Sequence, residues 1–470
     1  MASLAQGEYP PQLKGEEQRH LIDTVKDWTI GNGLAVRPPP AVIPSEVDPN
    51  GVSAVSAPVT LFPSPFPRVC FEQGVLAQKS YNELYSAVSR DEKFLEEMVK
   101  EVAGGDEFIG NLWKIHLKVK EEGYTQSRYL ADTEYPLLQN WVSDVQQDLP
   151  ENTTTKGLAQ GIETAFRAYG ESELGHAKCV VFLTQTGERN IFDQRHLEYQ
   201  VAKARPSFPV FRLPHADLLE HTSLADSPKR QLLYRLPRDP SKVYEVAVVY
   251  LRSGYDPSDY PDQAAWDARY QLERSGAIKC PTVLTQLSGT KKVQQVLATP
   301  REVSSSSVSI LSKFIKDDTP AAAELYKTFT NIYPMDTSVA GLEARKKALD
   351  PELAKAYVLK PQREGGGNNI YRAAIPEYLK TVPEEHWGSY ILMELITPPP
   401  VSNIILRNGN VEQGGVICEL GIYGTCLWDQ VTGDVKHNEQ AGYLLRTKGD
   451  QSEEGGVAAG YGCMDSCALI

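Results

Sequence analysis

One stretch of the chain combines a lysine, a glutamate and three consecutive glycines within ten residues. It reads Tyr357-Val358-Leu359-Lys360-Pro361-Gln362-Arg363-Glu364-Gly365-Gly366-Gly367-Asn368-Asn369, a short apolar run that leads into a glycine-rich turn. Three consecutive glycines let the backbone turn and direct several N–H groups at one anion. Lys360 can hold a second phosphate, and Glu364 offers a hard oxygen to a Mg²⁺ ion on those phosphates. The stretch predicts an ATP cradle, with a flexible hairpin tip as the structural alternative.

The composition is that of an ordinary globular protein and limits the partners. A chain of 470 residues is too long for one simple core, which predicts two or three lobes. The net charge of −13 argues against non-specific binding to nucleic acid or acidic membranes. No apolar run approaches a membrane span, and no signal peptide is evident. The seven scattered cysteines, without a CxxC pair, are typical of reduced thiols, so we expect a cytoplasmic protein.

The first third of the chain predicts helices beside an extended segment. Residues 16–34 are expected to be helical, and the Pro-rich residues 37–67 to lie extended over the body, because Val59 and Leu61 need burial. Residues 81–121 are expected to be helical with a break at Gly104-Gly105. The apolar positions of this region are predicted to face a core: Phe94, Leu95, Met98, Val99, Val102, Phe108, Ile109, Leu112, Trp113 and Leu117.

The pattern of apolar residues and turn signals changes twice along the remaining chain. Residues 178–289 alternate continuous apolar strands with helices, which predicts a small parallel sheet covered on both faces. From residue 355 onward, hairpin signals such as Asn408-Gly409 predict an antiparallel sheet. The glycine-rich turn is neither a P-loop nor a dinucleotide fingerprint, and no kinase catalytic loop is present. An antiparallel nucleotide clamp fits these observations.

Four charged residues in the strand-like runs are candidates for the same site. Glu394 and Glu419 lie inside apolar runs, where a charge is costly unless it is paired or functional, or else they point to water from an edge strand. Arg446 and Lys448 are two residues apart, so an extended chain places both on one face. Two cations there suit an anionic substrate and a phosphate, and a solvated face is the alternative.

Several long motifs of the chain are specific enough to indicate a family. They are Glu188-Arg189-Asn190-Ile191-Phe192-Asp193-Gln194, Gln286-Leu287-Ser288-Gly289-Thr290-Lys291-Lys292-Val293-Gln294-Gln295, residues 360–369, and Leu444-Leu445-Arg446-Thr447-Lys448 followed by Gly455-Gly456-Val457-Ala458-Ala459-Gly460. These motifs resemble those of eukaryotic-type glutathione synthetase. Their order and spacing also match the family across residues 16–125 and about 157–466. The family consists of ATP-grasp ligases that are usually homodimers.

The resemblance implies an α/β (α+β) fold of the ATP-grasp type. It has an antiparallel sheet body, a central parallel βαβ substrate-binding domain and a glycine-rich lid. The implied boundaries are 1–176 for the N-terminal part of the body, 177–290 for the substrate-binding domain, 291–345 with 405–470 for the ATP-binding body, and 346–404 for the lid region.

The resemblance also implies a reaction and its residues. ATP phosphorylates the cysteinyl carboxylate of γ-glutamylcysteine, and the amine of glycine attacks the acyl phosphate to give glutathione, ADP and phosphate, with Mg²⁺ on the nucleotide. Arg446 and Lys360 take the catalytic role, and Glu364 binds the metal. The implied ATP contacts are Lys291, Lys360, Glu364, Gly365, Gly366, Gly367, Asn368, Asn369, Tyr371, Met393, Glu394, Leu395, Ile396, Glu419, Lys448 and Glu454. The implied peptide contacts are Glu188, Arg189, Asn190, Gln194, Arg252, Ser253, Gly254, Tyr255, Arg446, Val457 and Ala458.

The resemblance is interrupted after Gln126. There the family continues into a strand with a Glu-x-Asn metal pair and a Ser-rich, Gly-Gly substrate loop, whereas this chain passes to Ser127-Arg128-Tyr129-Leu130-Ala131. Several tens of residues of the family pattern are absent, and with them two Mg²⁺ ligands and a substrate Arg. Neutralising the charge on a transferring phosphate contributes much to catalysis, so we expect impaired turnover with ATP binding retained. The alternatives are a non-catalytic ATP- or peptide-binding paralogue and a splice or gene-model form.

Overall fold

The computed structural model describes residues 9–12, 14–124, 128–131, 149–204, 208–298, 310–315, 319–363, 367–452 and 462–470. The helices are α1 Gly15–Gly31, α2 Arg68–Arg90, α3 Glu92–Val102, α4 Glu107–Glu121, α5 Thr154–Tyr169, α6 Ile191–Ala204, α7 Leu218–His221, α8 Gln263–Glu273, α9 Val283–Ser288, α10 Lys291–Ala298, α11 Pro320–Thr328, α12 Val339–Leu349 and α13 Ala374–Leu379. The strands are β1 Ala35–Val36, β2 Val55–Ser56, β3 Val59–Thr60, β4 Ser64–Phe66, β5 Arg128–Ala131, β6 Ala177–Thr184, β7 Val210–Pro214, β8 Thr222–Leu224, β9 Leu232–Leu236, β10 Asp239–Leu251, β11 Ile278–Cys280, β12 Ile332–Pro334, β13 Tyr357–Lys360, β14 Ile370–Tyr371, β15 Ile391–Glu394, β16 Val401–Arg407, β17 Asn410–Asp429, β18 Val435–Gly449, β19 Cys463–Asp465 and β20 Cys467–Leu469.

The middle of the chain forms the predicted parallel sheet. Strands β7, β6, β10 and β11 run parallel in that spatial order, β9 pairs antiparallel with β10, and β8 pairs antiparallel with β9. Along β6, Val180 and Phe182 face one hydrophobic core while Val181 and Leu183 face another. Both faces of the sheet are therefore covered, which explains why this strand is a continuous apolar run.

The end of the chain forms the predicted hairpin-rich sheet. Its six strands lie in the order β16, β3, β19, β18, β17 and β5, largely antiparallel. Asn408 and Gly409 connect β16 to β17 with φ values of 49° and 80°, as the tight hairpin turn requires. Helix α5 lies between this sheet and the parallel sheet, and Gly157 approaches the backbone of Ala441 so closely that a Cβ would be 2.7 Å from it.

A smaller antiparallel sheet holds the glycine-rich stretch. Its strands lie in the order β12, β15, β13 and β14, and Lys360 at the end of β13 pairs with Ile391 of β15. A separate core that includes Tyr333, Leu359 and Leu392 supports this sheet. The glycine-rich residues thus follow a strand that is fixed on both sides.

The helical region differs from its prediction in two respects. It begins at Arg68, not at residue 81, and Asp91 divides it again between α2 and α3. The predicted core positions from Phe94 to Trp113 are buried, but Leu117 is 38% exposed. The early start was missed because Val69 and Leu76 of α2 lie 71% and 73% exposed, which hides the periodicity of an amphipathic helix. None of the helices in the described ranges is long and apolar enough to cross a membrane.

Candidate active site

A cleft of about 700 Å³ lies between the four-stranded and the six-stranded sheets, beside the first turns of α2. Strands β13, β14 and β15 supply one wall, and β17 and β18 supply the other. Eight of the residues expected to contact ATP line this cleft: Lys360, Tyr371, Met393, Glu394, Leu395, Ile396, Glu419 and Lys448. Residues that are up to 88 positions apart in sequence therefore face one cavity, because the two sheets oppose each other.

Glu419 joins the two cations on the β18 wall. Its two carboxylate oxygens lie 3.1 Å from Nη2 of Arg446 and 3.2 Å from Nζ of Lys448. Glu419 and Arg446 are direct cross-strand neighbours in the β17–β18 pair, which sets this contact. Lys448 is buried and lines the cleft, whereas Arg446 is exposed and is not among the described residues that line it.

Glu394 has structural partners inside the four-stranded sheet. Its carboxylate accepts hydrogen bonds from Tyr333 Oη at 2.7 Å and from Asn331 Nδ2 at 2.8 Å. These partners make the charge tolerable in an otherwise apolar strand. Met393 and Leu395 flank it and give the cleft an apolar surface that suits a flat aromatic base.

The base of the glycine-rich stretch is tied to three other parts of the fold. The side chain of Gln362 accepts from the Lys292 N–H at 3.0 Å and donates to the Ser389 carbonyl at 3.0 Å. Arg363 forms an ion pair with Asp106, the N-cap of α4, and burial raises the pKa of that aspartate. Sequence reasoning missed Asp106, since no local signal connects it to a residue 257 positions away.

A second cluster of predicted residues lies where β6 and β10 end in the parallel sheet. Glu188 accepts from the backbone N–H of Asn190 at 2.7 Å and from Gln194 Nε2 at 2.7 Å. Nη2 of Arg252 lies 3.2 Å from Oδ2 of Asp193, which also accepts from Asn190. The carboxyl edge of a parallel sheet is a common place for ligands, and most of the expected peptide contacts meet there.

Some buried polar atoms in and beside this cluster have no hydrogen-bond partner among the described residues, and two of them lie at the turn after β10. These two are Oγ of Ser253 and Oε1 of Gln286, while Nε2 of Gln286 donates to the Gly254 carbonyl at 3.0 Å. Buried polar groups normally have partners, so unmet ones mark a place where a ligand or water belongs. Gln286 begins one of the family motifs, and the resemblance assigns it no role; its place in the same motif as Lys291 is the signal that could have indicated one.

Several of the other predicted residues that the structure describes do not themselves line the cleft. Arg189 donates from Nε to the Arg37 carbonyl at 3.2 Å, which ties it to the extended N-terminal segment. Lys291 begins α10 and is not among the described residues that line the cleft, and Asn369 donates to Tyr371 Oη at 3.0 Å. Gly367 and Asn368 adjoin this contact. The predictions for Glu364, Gly365, Gly366, Glu454, Val457 and Ala458 lie outside the described residues.

A magnesium site does not emerge from the described residues alone. Within the described ranges there is no group of three or more His, Cys, Asp or Glu side chains that could hold a metal ion. Glu394 and Glu419 already contact protein donors, and Glu364, the predicted ligand, lies outside these ranges. The described part of the cleft by itself therefore does not fit a magnesium ion.

Comparison with known proteins decides the family. The model of the eukaryotic glutathione synthase ATP-binding domain matches residues 15–133 and 128–469. The chain belongs to the eukaryotic glutathione synthase family. The two matched stretches of this family model meet at residues 128–133, next to the interruption expected after Gln126.

Relatives in the glutathione synthase family match along most of their length. The glutathione synthetase large chain of Schizosaccharomyces pombe is 35% identical, with 88% of this chain and 91% of that one covered. Glutathione synthetase of Xenopus laevis is 36% identical with 90% and 92% covered, and that of Homo sapiens 36% with 96% and 97% covered. The human alignment spans 493 positions, more than the 470 residues of this chain, so some of its positions have no residue here.

A solved structure shares the fold. The apo form of a glutathione synthetase-like effector from Globodera pallida superposes with a TM-score of 0.68 over 98% of both chains at 19% identity. This likeness supports the mixed α/β architecture of helices and several sheets seen in the described residues.

Proposed function

We propose that this protein is a glutathione synthetase that uses ATP to join glycine to γ-glutamylcysteine, on an ATP-grasp fold with a glycine-rich lid. The observation that carries the proposal is the cleft between two antiparallel sheets, which gathers eight predicted ATP contacts from five strands and the residues after them. Family membership, with relatives of this name along nearly the whole chain, supports the same conclusion.

ATP would lie with its base between the sheets. Met393, Leu395 and Ile396 offer an apolar surface for adenine, and Tyr371 adds an aromatic one. The positive charges of Lys360 and Lys448, which line the same cleft, would hold the phosphates. Lys448 is already positioned by Glu419, so little side-chain freedom is lost on binding.

The dipeptide would bind at the carboxyl ends of β6 and β10. Arg252 presents a guanidinium that binds a carboxylate in a bidentate fork, and Glu188 with Asn190 offers polar contacts to the α-amino acid end. Arg252 is paired with Asp193 and Arg446 with Glu419, so a substrate carboxylate would share or replace these partners. The protein's contribution is orientation, which brings the cysteinyl carboxylate to the γ-phosphate.

The reaction proceeds in two transfers. The cysteinyl carboxylate takes the γ-phosphoryl group and ADP leaves; the glycine amine then attacks the acyl carbon, and phosphate leaves as the amide bond forms. Lys360 and Arg446 would counter the negative charge that develops on the transferring phosphoryl group. Glu364 would be a ligand of the magnesium ion that accompanies ATP.

Further properties of this chain are proposed from its family membership. They are a substrate-binding domain at 177–290, a lid region at 346–404, a homodimer and a cytoplasmic location. Impaired turnover also stays a prediction. It rests on the sequence after Gln126, where the Glu-x-Asn pair and the Ser-rich loop of the family pattern do not follow.

The proposal is tested by incubating the purified protein with Mg-ATP, γ-glutamylcysteine and glycine. We expect glutathione by mass spectrometry and one ADP per peptide bond, slowly, with no product when either amino substrate is omitted. The control is a protein with Arg252→Met, which removes the carboxylate contact and keeps the side-chain length. Release of ADP that does not depend on glycine, or no product after many hours while ATP is bound, would contradict the proposal.

A further inference from the structure

The turn that follows β10 carries four of the expected dipeptide contacts, residues 252–255, in a conformation that needs support. Gly254 adopts φ 86°, and a Cβ there would lie 3.0 Å from Tyr260 Oη. A left-handed residue in close contact with a side chain holds its shape only when its backbone groups are fixed. Two side chains, Tyr260 and Gln286, donate to the Gly254 carbonyl at 3.0 Å each.

Asp259 fixes the other side of the same turn. Its Oδ2 accepts the Gly254 N–H at 2.7 Å and the Asp256 N–H at 3.3 Å. Its Oδ1 accepts from Nε2 of Gln185 at 3.0 Å, and Gln185 is the residue that follows β6. One carboxylate therefore joins the ends of β6 and β10, the two strands whose following turns hold Glu188 and Arg252.

A capping role alone does not explain this arrangement. Asp259 closes a capping box with Asp256 on the short helical turn at Pro257–Asp259. That role uses the contact with the Asp256 N–H, the longest of the three contacts. The two shorter contacts reach outside the helical turn, to Gly254 and to Gln185.

We infer that Asp259 is a positioning residue for dipeptide binding, acting through the Gly254 N–H and the Gln185 amide. The inference rests on the proposed function, since it assumes that the turn at 252–255 binds γ-glutamylcysteine. With Asp259 in place, Arg252 and Ser253 hold a fixed spacing to Glu188 across the sheet end. Without it, Gly254 loses its N–H partner and the turn can relax away from the binding geometry, and small displacements of this kind cost large factors in binding.

The test compares Asp259→Ala, Asp259→Asn and Asp262→Ala in the full chain. Asp262 is the matched control: it is an N-cap aspartate in the same loop, and its side chain accepts only the Ala265 N–H of α8 at 3.0 Å among the contacts described. The probes are γ-glutamylcysteine and Mg-ATP, each followed by KM in turnover and by Kd in calorimetry, so slow turnover does not prevent the measurement.

We expect Asp259→Ala to raise KM and Kd for γ-glutamylcysteine by about tenfold or more and to leave those for Mg-ATP within about twofold. Asp259→Asn keeps an acceptor for Gly254 and should restore dipeptide binding to within about threefold of the unsubstituted protein. Asp262→Ala should lower the thermal midpoint and change neither ligand constant.

Three outcomes overturn the inference. Equal dipeptide constants for Asp259→Ala and Asp262→Ala, or an equal loss for dipeptide and ATP, would show a purely structural role and leave the proposed function standing. Failure of Asp259→Asn to restore binding would show that the acceptor to Gly254 is not the contact that matters. No dipeptide binding by the unsubstituted protein would overturn both the proposed function and the inference.

Discussion

Two regions of the six-stranded sheet are built differently: one forms a wall of the cleft proposed to bind ATP, and the other is the edge formed by β5. The cleft is lined by the long strands β17 and β18, which pair from Val416 with Gly449 to Trp428 with Val435, and is closed by a second sheet. The β5 edge consists of four residues, Arg128–Ala131, that pair with the last four of β17. The family match is interrupted at this edge and not at the cleft. We therefore expect ATP binding and complete turnover to depend on separate regions of the molecule.

Restoring the interrupted segment should have the largest effect. Insertion of the corresponding residues of the Schizosaccharomyces pombe relative after Gln126 should raise glutathione formation by about 100-fold, because the family pattern predicts a Glu-x-Asn metal pair and a substrate loop at this position. Calorimetry should give an unchanged Kd for Mg-ATP.

The control for this insertion is a Gly/Ser linker of equal length. If the linker raises turnover equally, or if the unaltered chain already matches the rate of the relative, the two regions are not functionally separate in the way we expect.

Removing the lysine charge that is expected to hold a phosphate in the cleft should lower turnover nearly as much. Lys360→Met should lower turnover by about 100-fold and weaken Mg-ATP binding in a titration, since a preorganised cation near the transferring phosphoryl group is lost. Lys355→Met is the matched control, because Lys355 is exposed and pairs only with Glu352 in the contacts described. Equal effects of the two substitutions would place the nucleotide elsewhere.

The β5 edge can be tested through its packing. Leu130 is 1% exposed in the core shared by both large sheets, so Leu130→Ala should lower the free energy of unfolding by about 2–5 kcal/mol in urea titrations. Leu117→Ala, at a 38% exposed position, should cost much less. A negligible effect at Leu130 would mean that residues 128–131 do not pair with β17 as described.

The smallest expected effect is a pH dependence at the same sheet end. Burial lowers the pKa of His437 from its ordinary 6.5, against the opposing influence of Glu439, and its Nε2 lies 2.7 Å from Thr425 Oγ1. The folded protein therefore favours the neutral imidazole more strongly than the unfolded chain does. Its stabilisation is fully present above pH 6.5 and is lost as the pH falls through the lowered folded value.

His437→Gln should therefore flatten the fall in unfolding free energy between pH 7 and pH 5, as measured by urea titration at several pH values. Parallel pH curves for the two proteins would assign the pH dependence to other groups.

Much of the fold was predictable because its signals are local. The continuous apolar run of β6 predicts a strand covered on both faces, and Asn408-Gly409 predicts a tight hairpin because both residues accept positive φ. Helix α2 was only partly predicted, since its exposed Val69 and Leu76 obscure the periodic pattern. Local patterns report burial, and they fail where apolar residues face solvent.

The candidate site was predictable in part for a different reason. The motif residues were assigned through the family resemblance, and the structure brings eight of the ATP set to one cleft. The resemblance left the supporting partners unassigned: Asp106 for Arg363, Tyr333 for Glu394, and Asp259 for Gly254. These partners lie on other elements of the fold. Many side chains of suitable length could form the same hydrogen bonds or ion pairs, so the sequence does not indicate which one does.

The sequence by itself determined the two kinds of sheet and the family, because strand periodicity and long motifs depend on neighbouring residues only. The glycine-rich cradle stays a prediction of the sequence. It also placed the interruption after Gln126. Only the tertiary structure decided that Glu419 joins Arg446 to Lys448, that Arg363 is anchored to a helix N-cap, and that one carboxylate ties two strand ends together. Hydrogen bonds and ion pairs have no sequence period, so their partners are fixed by how the elements pack.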